Sequence, residues 1–229
     1  MRLDKYLANA NVGSRKDVSK LIKKSLITVN GVVVKSPKAE VSYEDEILYD
    51  GLPIVLEEFI YLMMNKPDGV ISSTEDGPTA TVIDLIAHPQ QNELFPVGRL
   101  DKDTVGLLFI TNDGKLAHQL LSPKNEYYKT YFVTAKDNVT DEDLHKLESG
   151  IDLKDFKTKP AKAERVSPKE VVLSITEGKF HQVKRMFQAL GNEVVKLKRT
   201  GFASLTLDET LNEGEYRRLT EDEIKNLTI

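Results

Sequence analysis

The sequence contains no cysteine among its 229 residues. This absence excludes disulfides, thiolate chemistry and cysteine-ligated zinc. The sequence also has no P-loop, no serine nucleophile elbow and no His-Glu-x-x-His pattern. The histidines have none of the spacings of a metal site; they are His88, His118, His145 and His181. We therefore expect neither a metal ion nor a cofactor.

Long apolar runs are also absent, and none reaches the length that spans a bilayer. Residues 1–5 lack the apolar segment of a secretory signal. Hydrophobic residues make up 40% of the chain, which is enough for one large core or for a small and a medium one. We expect a cytoplasmic protein that has no membrane contact and is a monomer.

The net charge of −4 is unevenly distributed along the chain. Residues 1–38 contain nine Lys or Arg and two acids, whereas residues 39–59 contain seven acids and no Lys or Arg. A concentrated basic segment is what a nucleic-acid backbone requires, but charged surface helices are also common in proteins that bind no nucleic acid. The charge pattern alone leaves both interpretations open.

The N-terminal segment predicts two helices followed by a hairpin. Apolar residues recur at helical spacing from Leu3 to Ala10, and Ser14 can cap a second helix. Asn30-Gly31, between β-branched residues, predicts a β-hairpin. The second helix leaves five cations available to solvent, namely Arg15, Lys16, Lys20, Lys23 and Lys24.

Residues 1–50 resemble the S4-type RNA-binding domain. The resemblance lies in three segments, Arg2-Leu3-Asp4-Lys5-Tyr6-Leu7, Ser14-Arg15-Lys16 and Val29-Asn30-Gly31. It implies that the five cations of the second helix hold an RNA backbone, and that this domain targets the protein rather than catalysing. A helix–hairpin unit used for protein contact is the alternative. We assign the domain to residues 1–58.

A second, larger domain is predicted over residues 59–229. Its short β-rich segments outnumber the helical ones and do not alternate regularly with them, which favours an α+β fold with a mixed, largely antiparallel sheet over a doubly wound one. Helical patterns are predicted at residues 80–87, 116–121, 141–150 and 180–190.

Three aspartates surround an apolar strand within residues 98–114. Asp113 precedes a glycine and is most simply a turn residue. Asp103 stands at the entry to the strand, where it suits a loop or a cap. Asp101 is predicted at the rim of a buried sheet, a position in which an aspartate is more often structural than catalytic. The pattern alone leaves the role of Asp101 open.

Residues 97–104 resemble the signature of the pseudouridine synthases, in which the nucleophilic aspartate follows Arg-Leu. Lys129-Thr130-Tyr131 resembles the strand that carries the active-site tyrosine of this family. Residues 177–187 resemble the element that brings a basic residue to the aspartate. Lys66-Pro67-Asp68-Gly69 and Gly214-Glu215-Tyr216-Arg217 extend the resemblance over nearly the whole chain.

The resemblance implies a role for each matching residue. Asp101 acts on the ribose of a flipped-out uridine, where charge builds up as in glycoside hydrolysis, and a nearby cation keeps its carboxylate ionised. Lys184 stands where many relatives carry arginine, and whether Lys184 or Arg185 pairs with Asp101 stays open. Tyr131 stacks on the uracil. Arg99 and Arg185 contact the RNA.

The third motif also bears on the choice of RNA. His181-Gln182 resembles the small-subunit (16S) branch of the family, whereas large-subunit relatives more often have Asn-Arg at this place. We expect an isomerase that converts a uridine of 16S ribosomal RNA, as naked RNA or within an assembling subunit. The alternatives are a synthase acting on 23S rRNA, a non-catalytic ribosome-assembly factor and a hydrolase of free nucleosides.

Overall fold

A computed structural model describes residues 1–75 and 77–227 of the chain. Its internal contacts divide the chain into two units. No helix within the described ranges combines the length and the apolar character needed to cross a membrane. The first unit comprises Met1–Ile60 and Ile86–Leu94, and the second comprises Tyr61–Leu85 and Phe95–Ile229.

The first unit therefore includes a segment that sequence analysis assigned to the second domain. Residues 86–94 belong to the first unit, where their polar side chains hydrogen-bond to Glu57. Gln90 accepts from the Glu57 backbone N–H at 2.7 Å and donates to its carbonyl at 2.8 Å. His88 Nε2 lies 3.2 Å from a carboxylate oxygen of the same glutamate.

Two helices and a small antiparallel sheet form the first unit, and apolar side chains of both helices are buried in its core. Ser14 caps the second helix as predicted, because its Oγ accepts the Asp17 N–H at 3.2 Å. The sheet order is β2–β1–β3–β4. The elements are α1 (Leu3–Asn9), α2 (Arg15–Lys23), β1 (Ile27–Val29), β2 (Val32–Val33), β3 (Ile47–Tyr49), β4 (Leu52–Pro53) and a 3₁₀ turn (Gln91–Glu93).

The predicted hairpin at Asn30-Gly31 is confirmed. Both residues have positive φ, 50° and 78°, as a two-residue turn between twisted strands requires. The turn pairs Val29 with Val32 and Thr28 with Val33.

The second unit is built on a nine-stranded sheet, which confirms the mixed, largely antiparallel α+β fold. The path of the sheet is β13–β5–β7–β11–β8–β10–β9, with β6 on β7 and β12 on β11, and among these described strands β7 and β11 form the parallel pair. The elements are β5 (Tyr61–Lys66), β6 (Phe95–Pro96), β7 (Val105–Thr111), α3 (Gly114–Leu121), β8 (Lys129–Ala135), α4 (Asp141–Ser149), β9 (Lys162–Ser167), β10 (Glu170–Ile175), α5 (Gln182–Ala189), β11 (Val194–Phe202), β12 (Leu205–Thr206), β13 (Tyr216–Arg218) and α6 (Glu221–Leu227).

The predicted helix at residues 80–87 is wrong. Thr81 and Asp84 exchange the hydrogen bonds of a helix start, but the chain makes only a turn there. The Val82 N–H instead donates to the Ile71 carbonyl at 3.0 Å, and Ile71 forms a bridge with Thr81. Apolar side chains at helical spacing thus belong to a turn that is tied to a neighbouring strand-like segment.

Strands β7 and β11 approach each other closely at Gly106. This residue has φ +104°, and a Cβ there would lie 2.2 Å from the carbonyl oxygen of Arg199. Only glycine permits both the backbone conformation and the approach. Arg199 of β11 pairs with Gly106 of β7 on one side and with Tyr131 of β8 on the other. Strand β11 therefore holds β8 close to β7 and to the loop that precedes β7.

Candidate active site

The Asp101 loop connects β6 to β7 and is fixed by hydrogen bonds on both sides of the aspartate. The Ser72 hydroxyl accepts the Leu100 N–H and donates to the Leu100 carbonyl, both at 3.1 Å. The Thr104 N–H donates to the Asp101 carbonyl at 3.1 Å. The loop therefore presents the Asp101 carboxylate, which is 28% exposed, in a defined direction.

Lys66, the last residue of β5, donates hydrogen bonds to backbone carbonyls of the same loop. Its side chain is fully buried, and its Nζ donates to the carbonyls of Pro67 at 3.0 Å, Lys102 at 3.1 Å and Thr104 at 2.9 Å. Three acceptors match the three hydrogens of an ammonium group. Burial lowers the pKa of Lys66 to about 8, and nearby carboxylates oppose this shift.

Lys184, in the first turns of α5, provides the cation at Asp101. Its Nζ lies 3.2 Å from Asp101 Oδ2 and 2.6 Å from Asp103 Oδ1. Burial lowers the pKa of Lys184, but the hydrogen bonds to Asp103 and Asp101 outweigh burial and raise the pKa above 10.5. The hydrogen bond from Lys184 likewise lowers the pKa of Asp103. One ammonium thus serves two carboxylates.

Arg185 points to a different partner. It bonds to the Asp155 carboxylate, and its guanidinium lies 5.4 Å from the centre of the Phe156 ring. Consecutive helix residues do not share a face, and here Lys184 bonds to Asp101 whereas Arg185 bonds to Asp155. The sequence leaves open whether Lys184 or Arg185 pairs with Asp101. In the structure Lys184 is the residue that lies beside the aspartate.

His181 is a second neighbour of Asp101 that sequence analysis did not identify as a site residue. Its Nε2 lies 3.6 Å from Asp101 Oδ1, and its ring stacks on Phe180 at 3.8 Å between centroids. The residue has φ +49° and precedes α5. This left-handed backbone turns the chain just before the helix that carries Lys184. The only sequence signal was its place in the third motif.

Tyr131 is on β8, is 8% exposed, and lines two adjoining spaces. The smaller pocket, of about 60 Å³, also contains Asp101, His181 and Lys184 in its wall. The larger cavity, of about 410 Å³, contains Arg99 in its wall, and Arg99 is exposed. The predicted catalytic residues thus meet in one pocket, and Arg99 lines both this pocket and the larger cavity.

Comparisons with known proteins identify the family of this chain. The RNA pseudouridylate synthase family matches residues 60–189, and the S4 domain matches residues 1–47. The chain belongs to the RNA pseudouridylate synthase family. It is therefore an enzyme, a pseudouridine synthase that carries an S4 domain at its N-terminus.

Relatives that match over the full length have similar descriptions. An uncharacterized RNA pseudouridine synthase of Bacillus subtilis is 49% identical over 98% of this chain and 97% of its own. Ribosomal small subunit pseudouridine synthase A is 46% identical in Haemophilus influenzae, covering 99% of both chains, and 40% identical in Escherichia coli, covering 99% and 100%. A crystal structure of a pseudouridylate synthase is similar with a TM-score of 0.72, 42% identity and 99% coverage of each chain.

The predicted RNA-binding cations of the synthase lie on the exposed surface of the first unit. Four of the five cations lie on α2 and Lys24 directly follows it; all five are exposed, and Lys20 forms an i,i+3 ion pair with Asp17 at 3.4 Å. Their contact with RNA stays a prediction, as does that of Arg185. These cations are Arg15, Lys16, Lys20, Lys23 and Lys24.

Proposed function

We propose that this synthase converts a uridine of 16S ribosomal RNA to pseudouridine, with Asp101 as the catalytic carboxylate acting on a flipped-out nucleotide. The observation that carries the proposal is the single pocket lined by Asp101, Lys184 and Tyr131. The choice of 16S RNA is supported by full-length relatives, 40–46% identical, whose names specify the small ribosomal subunit.

The reaction breaks the bond between C1′ and N1 of the uridine and joins C1′ to C5, while C5 loses its proton and N1 gains one. Positive charge develops on the ribose as the first bond breaks, and a carboxylate stabilises such charge. Asp101 serves either as a nucleophile at C1′ or as a base for a sugar proton, and both routes require the ionised form. The Lys184 ammonium, 3.2 Å away, favours that form. Tyr131 offers its ring to the extruded uracil.

Binding of the RNA is assigned to both units. The five exposed cations on α2 and at its C-terminal end contact the phosphate backbone, and Arg99 and Arg185 contact the RNA near the pocket. The enzyme acts as a monomer in the cytoplasm, on naked rRNA or on an assembling small subunit. It uses no cofactor, since a carboxylate and a turned uracil suffice for the isomerisation.

Substitution of the aspartate tests the mechanism, and Asp103 offers a matched control. Asp101→Asn removes the reactive carboxylate while keeping its shape, so pseudouridine formation should be lost while RNA binding persists. Asp103→Asn removes the other carboxylate bonded to Lys184, and activity should be largely retained. Pseudouridine formation by Asp101→Asn at a rate close to wild type would overturn the role of Asp101.

Pseudouridine mapping tests the substrate. Cells that lack this enzyme should lose a pseudouridine from 16S rRNA, and wild-type protein, but not Asp101→Asn, should restore it. A loss confined to 23S rRNA would favour the large-subunit alternative. An unchanged profile of both RNAs would instead favour a role in ribosome assembly without catalysis.

A further inference from the structure

The larger cavity, of about 410 Å³, lies beside the Asp101 pocket within the second unit. The two spaces share wall residues, namely Arg99, Tyr131, Gly178 and Lys179. A strand of RNA whose uridine enters the smaller pocket therefore has a neighbouring group within reach of the cavity. The mechanism above gives this cavity no role.

Arg199 forms part of the cavity wall with a guanidinium that is almost completely buried. The residue is 3% exposed, its Nε donates to the Leu107 carbonyl at 2.8 Å, and its guanidinium carbon lies 5.0 Å from the centre of the Phe202 ring. The Tyr131 side chain also hydrogen-bonds to this guanidinium, but Nη2 has no hydrogen-bond partner among the described residues. A buried donor without a partner costs roughly 1–3 kcal/mol, so it is a place where a bound acceptor would be stabilising.

Lys129 adds a second cation to the same wall. Its Nζ lies 6.0 Å from the centre of the Phe202 ring and donates to the carbonyls of Tyr127 at 3.1 Å and Thr176 at 3.2 Å. An ammonium has three hydrogens, so one remains available for a ligand. Burial and the nearby charge of Arg199 lower the pKa of Lys129. The two positive charges repel each other, and an anion bound between them would offset that repulsion.

No carboxylate among residues 1–75 and 77–227 forms an ion pair with Lys129 or Arg199. Glu177 is the acid in the cavity wall. Its carboxylate accepts the Lys159 N–H and the Gln182 side-chain N–H, both at 2.9 Å. The partners of the two cations among the described residues are therefore neutral groups, and neither cation has a counter-ion there.

We propose that this cavity binds a phosphate of the RNA strand, in a linkage that flanks the uridine to be isomerised. Lys129 and Arg199 offer only donors and positive charge, which excludes a ligand group that must donate. Phosphate oxygens accept from both, and charge-assisted hydrogen bonds of this kind are strong. The inference rests on the proposed function, because it takes the uridine to occupy the Asp101 pocket.

A chemically altered substrate tests the inference without changing the protein. RNA oligonucleotides with one neutral methylphosphonate linkage, placed on either side of the target uridine, remove one phosphate charge at a time. One of the two positions should weaken binding to the wild-type enzyme about tenfold, the size of one charge-assisted hydrogen bond. Equal binding of both altered RNAs and the unmodified RNA would overturn the proposal.

A protein variant completes a double-mutant cycle with this substrate. Lys129→Gln should weaken binding of the unmodified RNA to the same extent and reduce the salt slope of log K by about 0.7, the value for one phosphate of a single strand. With the methylphosphonate RNA that binds wild type more weakly, Lys129→Gln should cause almost no further loss of affinity. Lys115→Gln, which removes an exposed lysine of α3, is the control and should show neither effect.

The remaining outcomes separate this inference from the proposed function. In one outcome, the wild type forms pseudouridine while the losses of affinity caused by Lys129→Gln and by the methylphosphonate linkage multiply when combined. The phosphate then lies elsewhere and only this inference fails. If inorganic phosphate stabilises wild type but not Lys129→Gln while both altered RNAs bind normally, the cavity binds free phosphate and the inference is also wrong. If the wild type forms no pseudouridine in ribosomal RNA, the proposed function fails instead.

Discussion

The Nζ of Lys184 lies 3.2 Å from Oδ2 of Asp101, and the same ammonium lies closer, at 2.6 Å, to Oδ1 of Asp103. A lysine is a point charge without the two-pronged geometry of arginine. It can therefore follow the Asp101 carboxylate if that group moves during the reaction, while Asp103 keeps the ammonium in place.

The pairing predicts unequal effects of substitutions at two consecutive cations. Lys184→Gln should lower kcat roughly tenfold to a hundredfold, the range of one or two charge-assisted hydrogen bonds, because Asp101 loses its partner. Arg185→Gln should change kcat little, since Arg185 bonds to Asp155. Single-turnover pseudouridine formation at saturating enzyme measures both. A larger loss for Arg185→Gln than for Lys184→Gln would contradict the pairing.

Lys66 predicts a pH dependence of stability. Its pKa is about 8 in the folded protein, against 10.5 ordinarily, so the unfolded state binds more protons between these pH values. The free energy of unfolding contributed by Lys66 should therefore rise from pH 8 to 10.5, by at most about 3 kcal/mol.

Denaturant titrations at pH 7.5, 9 and 10.5 measure this contribution as the free energy of unfolding of wild type minus that of Lys66→Met. This difference should rise with pH. Subtraction cancels the other groups that titrate in the same range. The control is Lys115→Met, which replaces an exposed lysine and should give a difference that does not change with pH. A difference for Lys66→Met that falls as pH rises is the opposite sign and would refute the prediction.

The cations of α2 predict a change in RNA affinity that is separate from catalysis. Replacing Arg15, Lys16 and Lys23 by Gln should weaken RNA binding and reduce the salt slope of log K by up to about 2, or about 0.7 for each phosphate of a single strand that is no longer neutralised. All three side chains are exposed, so folding should be unaffected. Filter binding at several salt concentrations measures the slope. The matched control exchanges Lys35 and Lys38, outside α2, and an equal loss there would argue against α2 as the binding surface.

Gly106 predicts a large loss of stability for a small substitution. Gly106→Ala places a Cβ 2.2 Å from the Arg199 carbonyl oxygen at φ +104°, so we expect a loss of about 3 kcal/mol or more in the free energy of unfolding. Gly114→Ala is the control, because a Cβ at Gly114 meets no atom within 4 Å. Thermal unfolding compares the two, and equal stability of both variants would contradict the close approach of the two strands.

Local signals in the sequence predicted much of the fold. Asn30-Gly31 and Ser14 specify their turn and cap through their own backbone and side-chain preferences, and both are confirmed. The helix expected at residues 80–87 is wrong because pairing with Ile71, outside the pattern, decides that segment. A periodicity is informative only where no distant partner competes for the backbone.

The site was predictable in its motifs but not in its supporting interactions. Resemblance identified Asp101, Tyr131 and Lys184, which the structure places in one pocket, although their roles remain proposals. The three carbonyls around Lys66 and the unpartnered nitrogen of Arg199 depend on strands far apart in sequence. No local pattern distinguishes such a buried cation from an exposed one.

Strand β11 has a consequence for the order in which the enzyme becomes active during synthesis. It begins at residue 194 and lies between β7 and β8, so the loop of Asp101 and the strand of Tyr131 have no common neighbour until it is inserted. Such late, long-range pairing is a slow step of folding. A nascent chain that ends before Val194 should therefore hold RNA through its finished N-terminal unit while still unable to modify it.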